Sequence, residues 1–163
     1  MKVYGPRQAV LVTCRGKVKI LGRVTEKDNI MAVAWHTPLS KEPFMYAISI
    51  GKTRFSLKLI KESGVFAVNF ISKKMKEQVL YCGRSSGEHI DKFAESGLKK
   101  EECEKIDCPR LADALGYLEC EVADEIEAGD HILFIARVIY SKIEREDKRL
   151  FHITGDEFTT TTD

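Results

Sequence analysis

The sequence predicts a mainly β domain, an antiparallel barrel with a few short helices. Three observations predict it. Apolar, β-branched runs of strand length recur along the chain, separated by Gly and Pro punctuation. Residues 117–127 alternate, with Leu118, Cys120 and Val122 on one face and Glu119 and Glu121 on the other. Gly129-Asp130 then joins this run to a second long one, 131–143, as a hairpin does.

In chain order, residues 9–14 form a first strand. Arg15-Gly16 is read as a turn into a second at 17–24, and 30–36 form a third. Residues 44–50 follow Pro38 and Pro43, which break any helix. Residues 53–63 are read as a helix with Phe55, Leu59 and Ile60 on one face and Gly64 as its stop. A buried strand at 65–71, helices at 73–81 and 90–94, and a charged surface excursion at 97–113 come next. Residues 150–153 make a last strand and 159–162 a mobile tail. The 163 residues suit one domain spanning 1–163, with a C-terminal arm from about residue 154.

Net charge is +1, from 26 basic and 25 acidic residues. That balance gives no long-range pull toward nucleic acid or anionic membrane. The 31% of charged residues suits a surface rich in ion pairs. With no long apolar run and no leader pattern, a cytoplasmic location is expected. The five cysteines read as reduced thiols, and no second Cys or His pair has zinc spacing, so no metal is expected. Cys103 and Cys108, five apart, leave a disulfide open.

Four segments carry chemistry. In 29–40, an apolar strand ends in Trp35-His36-Thr37-Pro38. It reads equally as a core strand or as the wall of a flat ligand site, with Trp35 as a π-face and Asn29 and Thr37 bonding a heterocycle's edge. In 49–56, Ser49 leads through Gly51-Lys52-Thr53 into a helix carrying Ser56. Helix-terminal amides with Lys52 and Arg54 suit one phosphate, and an ordinary capped helix remains the alternative. In 82–93, donors surround Asp91-Lys92-Phe93, where a lysine beside a reduced anionic ring would raise its potential. Cys82 there is either an activated thiol or an inert buried one, the latter favoured. In 127–138, His131 opens a strand after Gly129-Asp130.

Together these segments resemble the flavin reductase-like family with the FMN-binding split-barrel fold, over nearly the whole chain. Gly129-Asp130-His131 with Leu133, Phe134 and Val138 is the most specific mark, supported by 29–40 and by the SGxxxDKF pattern at 86–93. Within the family, the chain is most similar to flavoredoxins and their archaeal relatives. The resemblance implies a homodimer binding FMN near the subunit interface, with electrons passing from NAD(P)H or a reduced protein to a flavin, ferric iron or protein acceptor. It implies that Asn29 and Trp35 contact the ring, with His36, Thr37, Ser49 and Gly51 around the site. Lys52, Thr53 and Ser56 would serve the phosphate end, Lys92 and His131 would lie near the flavin, and Phe158 would cover the ring. His131 would orient the donor or the flavin edge. Lys52-Thr53-Arg54 departs from the Lys-Asp-Thr of many relatives. The competing functions are an FMN electron carrier without nicotinamide activity and a flavin-free barrel binding nucleic acid or protein.

Overall fold

The computed structural model describes residues 2–162. In order these form β1 (Arg7–Gln8), β2 (Val10–Ile20), β3 (Arg23–Val33), β4 (His36–Lys41), β5 (Phe44–Gly51), α1 (Phe55–Ser63), β6 (Val65–Phe70), a 3-10 turn (Lys73–Met75), α2 (Lys76–Arg84), α3 (Lys92–Ser96), β7 (Lys100–Glu102), β8 (Pro109–Leu111), β9 (Gly116–Ala128), β10 (His131–Ile143), β11 (Phe151–Thr154) and β12 (Glu157–Thr159). The fold is mainly β. Seven strands make one sheet in the order β3-β2-β6-β9-β10-β5-β4. Its two outermost strands, β3 and β4, are consecutive in the chain and joined only through Ala34 and Trp35. The sheet must therefore curl until its ends approach, which gives a split barrel.

The two-residue side-chain period of β2 places it between two cores. Val10, Val12 and Cys14 face a barrel interior with Ile48, Phe66 and Phe134, closed by Leu59 and Ile60 of α1. Ala9 and Leu11 face the other way, onto Val79 and Cys82 of α2, Phe93 of α3, and Leu111. Both faces are buried from Val10 to Cys14, so this half of β2 is pinned in register by packing as well as by its ladders to β3 and β6.

Several expectations are corrected. β2 runs unbroken through Arg15-Gly16. Gly16 is there for closeness: a Cβ on it would lie 2.6 Å from the Leu59 carbonyl oxygen, so the absent side chain lets α1 lie on the strand. The turn comes at Leu21-Gly22, both with positive φ. Helix α1 begins at Phe55, two residues later than expected, because Arg54 is extended; Gly64, left-handed at φ 73°, ends it. β4 forms across Pro38, which an edge strand with a register shift tolerates. The 97–113 stretch is more than a surface excursion, since β7 and β8 pair and Cys108 to Leu111 are buried. Glu119 does not face solvent. Its buried carboxylate accepts the backbone N–H groups of Glu104 and Lys105 at 2.9 and 2.7 Å. The tail expected at 159–162 begins as β12, paired with β11, and the Thr160 hydroxyl donates to the Arg149 carbonyl at 2.7 Å. No helix among the described residues is long and apolar enough to cross a membrane.

Candidate functional site

The approach of the sheet's two ends builds the site. The Ser49 N–H of β5 donates to the Trp35 carbonyl at 2.9 Å, tying β5 to the β3–β4 connection. Beside this tie, two cavities adjoin, and Met31 and Arg54 line both.

The first cavity, about 240 Å³, has the chain from Met31 to Trp35 on one side and Ser49 to Gly51 on the other, with His131, Tyr4, Arg7 and His152 at its borders. Trp35 and His131 touch: their ring centroids are 4.7 Å apart, tilted by 35°. That is the separation of a direct ring pair, so no third ring fits between them. The two rings form a single wall, and Tyr4 meets the Trp35 ring edge-on at 6.2 Å. His131 Nδ1 is 2.7 Å from Asp130 Oδ1. A carboxylate only accepts, so Nδ1 carries a proton, and in the neutral ring Nε2 is the acceptor. Nε2 sits over Gly51, 3.8 Å from where a Cβ would be, on the cavity side. The bond to His131 holds the Asp130 carboxyl below its ordinary pKa.

The second cavity, about 250 Å³, is polar. It is lined by Asn29, Thr53, Arg54 and Ser56, by Arg84 to Gly87, and by Lys92. The N-terminus of α1 opens onto it. None of the cap's N–H groups is taken by an Arg54 side-chain oxygen, since arginine has none, and the first turn carries no acid. Asn29 Nδ2 donates to Ser56 Oγ at 2.9 Å, while Asn29 Oδ1 is buried without a partner. Lys92 Nζ donates to the carbonyls of Ile30 and Cys82 at 3.0 and 2.9 Å. Burial pulls the Lys92 pKa below the ordinary lysine value, with Arg54 acting in the same direction and Cys82 opposing. Arg84 pairs with Asp156, in the turn between β11 and β12. A third cavity, about 320 Å³, runs beneath that turn and is lined by Arg54, Arg84, His152 and Phe158.

Of the residues singled out in sequence, Trp35, Ser49, Gly51 and His131 share the first chamber, and Asn29, Thr53, Ser56 and Lys92 share the second. Thr37 lines a shallow outer recess with Trp35 and Ser49. His36 borders it too, but its ring nitrogens are engaged at 2.7 Å with the Tyr46 hydroxyl and the Gln8 carbonyl. Lys52 lines none of these cavities, and its ammonium meets Glu127. Phe158 lies against His152, ring centroids 5.2 Å apart, and lines the third cavity but not the first. Burial pushes the Cys82 thiol up to about 11, with Lys92 opposing, which fits the reading as a buried, inert thiol. Sequence reading left Arg84 out. Its signal is its place before Ser85-Ser86-Gly87, yet only the fold brings that loop against α1.

The flavin reductase like domain family matches residues 4–161. An uncharacterised protein of Archaeoglobus fulgidus is 34% identical over 115 residues, 71% of this chain and 65% of that protein, so the likeness spans just under two thirds of the relative. A flavin reductase of Pseudomonas putida is 30% identical over 129 residues, 79% of this chain and 72% of its own length. The crystal structure of a flavoredoxin from Methanosarcina acetivorans superposes with a TM-score of 0.83 at 25% identity, covering 100% of this chain and 88% of that one. The flavoredoxin shares this chain's fold, and the family match runs almost end to end: this chain belongs to the flavin reductase like domain family.

Proposed function

We propose that the two adjoining chambers bind FMN and that the protein is an oxidoreductase passing electrons from NAD(P)H through it to an acceptor. The observation that carries this is the position of Arg54. It stands between a chamber walled by aromatic rings and a chamber lined by cations, hydroxyls and the N-terminus of α1. A flat heterocycle joined to a single phosphate has that same division. The two volumes, taken together, fall within the roughly 300–1,000 Å³ of small-molecule sites. The unpartnered Oδ1 of buried Asn29 fits a ligand N–H or hydroxyl.

Flavin supplies the hydride uptake and the release of electrons. The chain's residues orient and stabilise. Arg54, Arg84, Ser85 and Ser86 hold the phosphate, and Lys92 keeps a positive charge at the inner end. The Trp35–His131 wall supports the ring. His131, fixed by Asp130, offers Nε2 as an acceptor to the carboxamide N–H of an incoming nicotinamide. The outer recess holds exposed Trp35 beside Thr37, and Leu39 and Phe44 are exposed on the neighbouring strands. Such a patch suits burial against a second copy, giving a homodimer. Five free thiols suit a cytoplasmic setting.

Anaerobic mixing of the FMN-loaded protein with NADH or NADPH tests the reading. Rapid bleaching of the flavin is expected. Flavin that stays oxidised at saturating nicotinamide would favour the second reading, a carrier reduced by another protein, which the likeness to a flavoredoxin supports.

A further inference from the structure

The β7–β8 hairpin carries a pair of thiols that line neither chamber and that the flavin chemistry does not use. Glu101 pairs with Arg110 and Glu102 with Pro109, and the same register sets Cys103 opposite Cys108. The Cys103 N–H donates to the Cys108 carbonyl at 2.9 Å. Residues directly opposite each other in an antiparallel pair have Cα atoms about 4.5–5.5 Å apart, within the usual span of a disulfide. Side chains on this face do meet, since Arg110 and Glu101, one pair along, are joined at 2.7 Å.

The hairpin is held still around them. Arg15 of β2 bonds Glu102 at 2.7 Å and Asp107 at 2.8 Å. Glu119 receives the N–H groups of Glu104 and Lys105 inside the loop. Access is one-sided: Cys103 is part exposed, while Cys108 is fully buried and donates to the Thr13 carbonyl at 3.3 Å. Cys14, Cys82 and Cys120 are buried, so Cys103 is the thiol a reagent meets first.

We infer that Cys103 and Cys108 are a redox-active pair that closes to an intramolecular disulfide by exchange with a small-molecule disulfide. The Cys103 thiolate attacks one sulfur of the reagent, forming a mixed disulfide and expelling one thiolate. Cys108 then attacks the Cys103 sulfur and expels the second. The protein loses two protons and two electrons, and the reagent becomes two thiols. Burial and the neighbouring thiol push the Cys108 pKa up, with Arg15 opposing, so the second step depends on proximity and speeds up as pH rises.

The test incubates the full chain with graded mixtures of reduced and oxidised glutathione, quenches with acid, unfolds, alkylates and reads intact and peptide masses. Two thiols are expected to vanish together, with a mass loss of two hydrogens and a Cys103–Cys108 link. Cys103→Ser is expected to stay fully reduced, and both Cys108→Ser and Cys108→Ala to stop at a glutathione adduct on Cys103. A native chain that keeps glutathione on Cys103, links another cysteine pair, cross-links two chains, or stays reduced at every ratio would overturn the inference. The readout is sulfur chemistry alone, so it stands or falls apart from flavin binding.

Discussion

Trp35 and His131 face each other at 4.7 Å between ring centroids, although they lie 96 positions apart in the chain, one on the β3–β4 connection and the other at the start of β10. Because they touch, the pair acts as one platform. A ligand ring gains the Trp35 surface, while His131 keeps its outward nitrogen for a different partner. The two roles should separate on mutation. Trp35→Ala is expected to weaken FMN binding three- to tenfold, the loss of an aromatic contact of about 0.5–1.5 kcal/mol. His131→Gln should leave FMN content near normal and slow flavin reduction by NAD(P)H. Equal losses in both quantities from both variants would show the platform account to be wrong.

The cationic chamber makes a prediction that depends on the phosphate. Arg54→Ala and Arg84→Ala should each weaken FMN by about ten- to a hundredfold, the worth of a charged hydrogen bond of about 1.5–3 kcal/mol. Riboflavin, lacking the phosphate, should bind both variants and the parent chain alike. Fluorescence titration with the two flavins checks this. Asp156→Asn, which frees Arg84 from its pair, should leave FMN affinity unchanged or raise it.

Gly87 has a steric role. A Cβ there would stand 2.0 Å from Asn29 Oδ1, and Asn29 is already committed to Ser56. Gly87→Ala should cost about 1–3 kcal/mol through overpacking and displace the Asn29 amide from the chamber. Adding Asn29→Ala should recover much of that stability, because the clash is with this one side chain. Denaturant titration of the two single variants and the double variant measures the coupling; strictly additive losses would contradict it.

His36 makes stability depend on pH. Its Nε2 donates to the Gln8 carbonyl and its Nδ1 accepts from the Tyr46 hydroxyl, so the neutral ring is the one that fits. Burial moves the His36 pKa below 6.5, Arg7 adds to this, and the bond to Gln8 opposes it. The unfolded chain then binds the proton more readily than the folded one. The His36 contribution is complete above pH 6.5 and is lost as pH falls from there through the lowered folded value. His36→Gln should be less stable at pH 8 by about 1 kcal/mol, the net worth of a hydrogen bond. Its urea midpoint should also fall less steeply between pH 7 and 5 than that of the parent chain.

Much of the fold is legible in local patterns. The alternation over 117–127 and the Gly129-Asp130 turn predict the β9–β10 hairpin, and its second strand begins at His131 as expected. Local patterns mislead where a residue serves a distant neighbour. Gly16 reads as a turn, yet it is a place for α1 to rest; Glu119 reads as one of two acids on the polar face of β9, yet it is buried, its partners the backbone amides of residues 104 and 105. The site divides in the same way. Trp35, Gly51 and His131 come from short motifs and do line one chamber. Arg84 and the junction role of Arg54 depend on how α2 and α1 converge, which no spacing in the chain encodes. Lys52 shows the converse, a suggestive charge beside a glycine whose ammonium is taken by Glu127 on the neighbouring hairpin.

The most direct test of the two-chamber account is to incubate the purified chain with excess FMN, remove free flavin by desalting, and read the visible spectrum against protein concentration. The account predicts a yellow protein carrying close to one FMN per chain. A colourless protein that retains none would contradict it.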